Sequence, residues 1–182
     1  MKAALDPTPL LSDLVCAIRD VVRRERPPAE TARLVAACLE PFLAQPDLVP
    51  PEYRVGDPQR YRQHLVHSEP DGSFSVVALV WQPGQATPIH DHIAWCVAGV
   101  YEGAETERRY ELRGEGATAR LVPIADVVNE SGVACGFAPP GDIHLVRNAE
   151  DATVVSIHVY GADIAKLGTS VRRTYQLPVA GR

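Results

Sequence analysis

Between Tyr61 and Tyr160 the chain is cut every few residues by Gly, Pro, Asp or Asn, and the runs between the cuts are short and rich in Val, Ile, Thr, Tyr and Trp. Such punctuation leaves no room for long helices and favours many short strands, which bury their apolar faces only by closing into a sandwich or barrel. The expected fold class is therefore all-β, with strands near residues 62–67, 74–81, 89–93, 96–101, 104–112, 118–122, 134–138, 143–147 and 152–160. Ahead of this region the pattern differs. Leu10, Leu11, Leu14, Val15, Ile18, Val21 and Val22 recur at three- and four-residue spacing, which predicts a helix over 9–25. Pro27-Pro28 interrupts it, and Glu30, Leu34, Ala37, Cys38 and Phe42 mark a second helix that fades before Pro46. The expected organisation is an N-terminal helical segment, 1–50, packed on a barrel, 51–182, in one structural domain. The tail after Gly161 is expected along the outside of the barrel.

Composition narrows the partners. A formal charge of −5 without a basic run argues against a nucleic-acid partner. No apolar stretch reaches the roughly 20 residues a membrane helix needs, and the N-terminus lacks a basic segment followed by an apolar run. No membrane association and a cytoplasmic location are expected. The cysteines at 16, 38, 96 and 135 are scattered without a CxxC pair, so free thiols are expected. Cys16 and Cys38 fall on or beside the helical apolar faces and read as small core residues.

Two of the six histidines form His90-Asp91-His92. In a strand, alternate residues share a face, so both imidazoles point one way, into the barrel, and Asp91 faces out. Gly84, His90, His92, Cys96 and Gly103 stand at the spacing of the first cupin motif, with Cys96 in place of its usual glutamate. Pro139, Gly141, His144 and Asn148 reproduce the second motif, although its leading glycine is displaced, with Gly132 one position off. In a closed barrel His144 reaches the same interior point as His90 and His92. Three neutral imidazoles bind a divalent first-row metal and leave its other coordination positions open.

Over roughly residues 53–175 the sequence resembles the cysteine dioxygenase family of cupins, the thiol dioxygenases, through TPIHDHIAW, PPGDIHLVRN and SIHVYG. The resemblance implies a cupin double-stranded β-helix, or jelly roll, with two N-terminal helices. It implies Fe(II) as the cofactor, a small thiol and O₂ as the reactants, and a sulfinic acid as the product. It also implies a hydrogen-bonded relay of Ser156, His158 and Tyr160 beside the metal.

The substrate turns on the group that meets its carboxylate. In the cysteine-specific branch an arginine lies two residues before the Leu-Val that here is Leu65-Val66; this chain has Gln63. Gln63 and the YRQHL segment resemble the 3-mercaptopropionate dioxygenase branch, in which an arginine after the SIHVYG strand binds the carboxylate. Arg173 is favoured for that role, with Arg172 beside it and Arg62 the rival if the strand register slips by one. Cys96 resembles the other branch, where a cysteine crosslinks to the relay tyrosine. A Cys96–Tyr160 thioether and a plain buried cysteine both remain open. L-cysteine, mercaptosuccinate and a non-catalytic metal-binding cupin are the alternative readings. Trp81 and Trp95 read as packing residues, and His64 and His67 as strand residues without partners.

Overall fold

The computed structural model describes residues 8–181. Helix α1, Pro9–Val22, opens on Thr8, whose hydroxyl accepts from the Leu11 amide at 3.2 Å, and buries Leu11, Leu14, Val15, Ile18 and Val21. Helix α2, Pro28–Leu43, starts with proline at its first position, where no amide partner is lost, and carries Pro41 in its last turn. Ten strands follow: β1 Arg62–Ser68, β2 Ser75–Trp81, β3 His90–His92, β4 Cys96–Glu102, β5 Ala104–Arg113, β6 Arg120–Glu130, β7 Ala134–Phe137, β8 His144–Arg147, β9 Val154–Tyr160 and β10 Val171–Thr174. A one-turn helix, α3, Ile164–Leu167, separates the last two.

The strands form two five-stranded sheets, ordered β1-β2-β9-β4-β7 and β10-β3-β8-β5-β6, with every adjacent pair antiparallel. This is the all-β cupin jelly roll that the sequence motifs imply. The first sheet is buried on both faces along β2 and β9. Its outer face, with Val76, Ala78, Val80, Ile157 and Val159, joins Leu14, Ile18, Val35 and Leu39 of the helices in one core. Its inner face, with Val77, Leu79, Trp81, Cys96 and Tyr160, lines the barrel. The period-two alternation of the strands thus divides helix-packing residues from interior ones.

Helix α2 lies directly on the sheet where side chains vanish. A Cβ at Gly136 would sit 2.5 Å from the Ala32 carbonyl oxygen, and a backbone atom cannot swing aside. Gly136→Ala is therefore expected to cost about 1–3 kcal/mol through overpacking, lowering the melting temperature by roughly 3–10 °C in a thermal scan.

Four local expectations change. Strand β6 runs to Glu130, well beyond residue 122, because Pro123 and a polar outer face mask a long hairpin arm paired throughout with β5. The tail, expected along the outside of the barrel, supplies a regular edge strand, β10, paired with β3. Cys16 is exposed, since it falls off the Leu11-Leu14-Val15-Ile18 face, while Cys38 is half-buried against the core. His64 and His67 both have partners: His64 Nε2 lies 2.9 Å from the Val55 carbonyl, and His67 meets Glu69, whose carboxylate also receives Arg19 from α1. The four cysteines are free thiols, as expected.

Candidate metal centre

The site is built where β3 meets β8. His90 and His144 are register partners, and His92 follows His90 on the same side of its strand. All three rings are buried, and one nitrogen from each lies within 4.8 Å of the others. The outer nitrogens are all engaged. Nδ1 of His90 faces the Pro88 carbonyl at 3.0 Å, Nδ1 of His92 faces Asp142 Oδ2 at 3.1 Å, and Nδ1 of His144 faces Glu107 Oε1 at 2.8 Å. With each Nδ1–H donating to an oxygen, each Nε2 keeps a bare lone pair for a metal. Burial and the neighbouring imidazoles push His90 down to about 3, and burial also lowers His92, which favours the neutral, ligating form of these two rings.

The carboxylates behind them are charged. Burial opposes ionisation of Glu107, but hydrogen bonds from His144 and Arg109 hold it down to about 2. Asp142 is likewise lowered, against burial, by the side chain and backbone of His92. Glu107 is balanced by Arg109, but Asp142 behind His92 has no ion pair with a lysine or arginine among the described residues, and a divalent ion supplies the missing positive charge. The donor set therefore fits such a metal. Glu107→Gln keeps the shape but removes one charge, and is expected to weaken metal binding by about ten-fold or more, measured by competition with a chelating dye.

Ser156, His158 and Tyr160 alternate along β9 and project into the same interior. His158 Nε2 lies 3.2 Å from Ser156 Oγ, and the Tyr160 hydroxyl lies 3.2 Å from His158 Nδ1. The Trp81 indole N–H donates to Ser156 Oγ at 3.1 Å. Burial, with His92, His144 and His90 nearby, pushes His158 down to about 3. The Tyr160 ring centroid is 6.2 Å from that of His92, and Cys96 is the direct cross-strand partner of Tyr160. Burial holds both the Cys96 thiol and the Tyr160 phenol well above their ordinary ranges.

Gln63 pairs in register with Leu79 on the inner-face row, whereas Arg62 pairs with Val80 on the helix-facing row. Both residues line a cleft of about 880 Å³ with Tyr61, Leu65 and Ser170. Tyr61 stacks on Trp81 at a centroid separation of 4.6 Å. Arg172 and Arg173 lie elsewhere. Their guanidinium groups reach Asp91 Oδ2 at 2.6 and 2.7 Å, joined by the Tyr175 hydroxyl at 2.9 Å. Asp91 does point away from the imidazoles, but β10 covers it and leaves it 1% exposed. The arginines hold its carboxyl well below the usual range despite burial.

Glu107 and Asp142 were not among the residues expected at the centre. Asp142 stands two residues before His144, and Glu107 alternates with Glu105 on β5, so strand periodicity was the available signal.

The family model for cysteine dioxygenase type I matches residues 2–168. The chain belongs to the cysteine dioxygenase type I family. Members of this family are thiol dioxygenases, and the three-histidine group is where this member could hold its metal. Among solved structures, the chain is similar to TT1209 from Thermus thermophilus, at 20% identity over 61% of this chain and 91% of that one, TM-score 0.45. It is similar to an RmlC-like cupin from Desulfovibrio desulfuricans, at 23% identity over 59% and 88%, TM-score 0.40. It is also similar to a cupin 2 conserved barrel protein from Salinispora arenicola, at 20% identity over 59% and 80%, TM-score 0.40. No described helix of this family member is long and apolar enough to cross a membrane.

Proposed function

We propose that this cysteine dioxygenase family member is a non-haem Fe(II) thiol dioxygenase that converts 3-mercaptopropionate and O₂ to the corresponding sulfinic acid, with both oxygen atoms passing to sulfur. His90, His92 and His144 would hold the iron. When bound, it supplies a Lewis-acidic centre with open positions at which a thiolate and O₂ can meet. The rest falls to the protein. Buried Trp81 and Leu79, with half-buried Phe137 centred 5.3 Å from the His92 ring, make the interior beside the centre apolar, and Tyr160, at the end of its relay, offers a hydroxyl at the edge of the centre.

The observation that carries the substrate reading is Gln63 on the inner-face row of β1, where the cysteine-specific branch has arginine. A neutral amide can bond a carboxylate oxygen but provides no charge. In this reading the cation is Arg173, which the structure holds on Asp91, on the face of β3 turned away from the imidazoles, so it would have to leave that partner to meet the substrate carboxylate. Arg62, on the opposite row, would need a shift of register to serve.

One observation favours L-cysteine instead. Cys96 stands directly across from Tyr160, the placement a thioether between them requires. Oxygen uptake and sulfinate formation by the Fe(II)-loaded protein, measured separately with 3-mercaptopropionate, L-cysteine and mercaptosuccinate, decide between the substrates. A partnerless α-ammonium costs about 1–3 kcal/mol to desolvate, so the specificity constant for 3-mercaptopropionate is expected to exceed that for cysteine by about ten-fold or more. A preference for cysteine makes Cys96 the better guide. Oxygen uptake with none of the three would indicate a non-catalytic metal-binding cupin.

A further inference from the structure

Glu105 lies on the inner face of β5 and is 1% exposed. No hydrogen bond reaches its Oε1, and none of the ion pairs among the described residues includes it. A buried carboxyl left this way is costly, and such groups in native proteins usually have a task. The polar groups beside it are the Ser156 hydroxyl and the Trp81 indole, which places Glu105 at the inner end of the chain Ser156–His158–Tyr160.

We propose that Glu105 is the proton-holding terminus of this relay, a positioning residue whose protonation state sets the direction of every hydrogen bond from Ser156 to Tyr160. The inference rests on the thiol dioxygenase reading for its use, though not for its geometry.

Counting donors and acceptors leaves two arrangements. The Trp81 indole only donates; in the structure it donates to Ser156 Oγ at 3.1 Å and also favours the charged form of Glu105 beside it. The remaining lone pair and the single O–H of Ser156 are divided between Glu105 and His158 Nε2. When Glu105 is protonated it donates to Ser156, Ser156 donates to His158 Nε2, and His158 Nδ1–H donates to Tyr160. The Tyr160 proton then turns away from His158, toward the centre or toward Ser170, whose side chain also bonds the phenol. When Glu105 is ionised it accepts from Ser156, which accepts from His158 Nε2–H. His158 Nδ1 then accepts from Tyr160, which turns lone pairs to the centre. Passing from the first arrangement to the second moves one proton along each link, and Tyr160, receiving one from His158, gives up its original proton to water or to a basic group of the substrate at the centre. Only Glu105 changes charge; Ser156, His158 and Tyr160 end neutral, as they began.

The surroundings suit a carboxyl that changes state near neutrality. Burial, with Glu107 on its own strand, opposes ionisation, while Ser156 and Trp81 favour it; the balance pushes Glu105 up to about 7. The other titratable groups facing it are Cys135 of β7 and Tyr160 of β9, both kept neutral by burial.

The test needs no turnover. Infrared spectra of the Zn(II)-loaded protein, taken from roughly pH 5 to pH 9 across the raised carboxyl range, are expected to show a protonated-carboxyl stretch. The band should shift in D₂O, fade with a midpoint near neutrality, and be missing in Glu105→Gln. Nitrogen-15 NMR of His158 is expected to show the ring proton moving from Nδ1 to Nε2 with the same midpoint, and to show one fixed tautomer in Glu105→Gln. The wild-type titrations carry the test even if that variant fails to fold. A wild-type His158 tautomer indifferent to pH, or the absence of the carboxyl band, overturns the proposal. Oxygen uptake with the three thiols tests the dioxygenase reading separately, so failure of one leaves the other identifiable.

Discussion

Replacing His144 with alanine is expected to lower divalent-metal affinity by more than about 10²-fold and to abolish thiol-dependent oxygen uptake. The size follows from comparison: partners that merely orient a ligand already contribute about 10- to 100-fold, and a ligand must contribute more. The barrel should survive. Strand β8 keeps its ladder to β5 through Thr106↔Arg147 and Glu107↔Val146, and Glu107 keeps Arg109 at 2.8 Å. The loss of the His144 partner leaves one buried carboxylate oxygen bare, at a cost of about 1–3 kcal/mol. Metal content by atomic absorption, with circular dichroism on the same sample, checks both halves. A variant that retains full iron and full turnover would remove His144 from the ligand set.

Trp81→Ala is expected to be the most damaging single truncation. The indole is fully buried, stacks on Tyr61 and bonds Ser156, so its removal opens a cavity on the inner face and strips a donor from the relay. Truncations of this kind cost about 3–5 kcal/mol, which for a domain of this size lowers the melting temperature by roughly 6–20 °C. Chemical denaturation should show a reduced midpoint with an unchanged slope. A loss below about 1 kcal/mol would contradict the close packing that places Trp81 between Tyr61 and Ser156.

Much of this architecture is local enough to read in the chain. Leu11, Leu14, Val15, Ile18 and Val21 mark the buried face of α1 by spacing alone, and His90-Asp91-His92 declares its shared face by alternation. What escaped depends on distant partners. The charges of GAETERRYEL do not declare which of its two rows faces inward, and in the structure Glu105 and Glu107 are buried while Arg108 stays outside. Strand β10 was hidden by its arginines, whose attraction to Asp91 offsets a charged tail segment's preference for solvent. Position 63 shows the same limit: the residues name glutamine, but only the pairing of β1 with β2 tells which row it occupies.

The clamp on Asp91 sets an order of events during synthesis. Strand β3 has three residues and a single register pair to β8, so β10 is its main lateral support. A nascent chain that has emerged as far as Ser170 carries all three histidines but lacks the arginines that brace the strand bearing two of them. Bracing of that strand then waits until residues 171–175 are available to pair with it. In the finished protein, proteolytic trimming back past Arg172 is expected to loosen the strand bearing His90 and His92 before it unfolds the barrel.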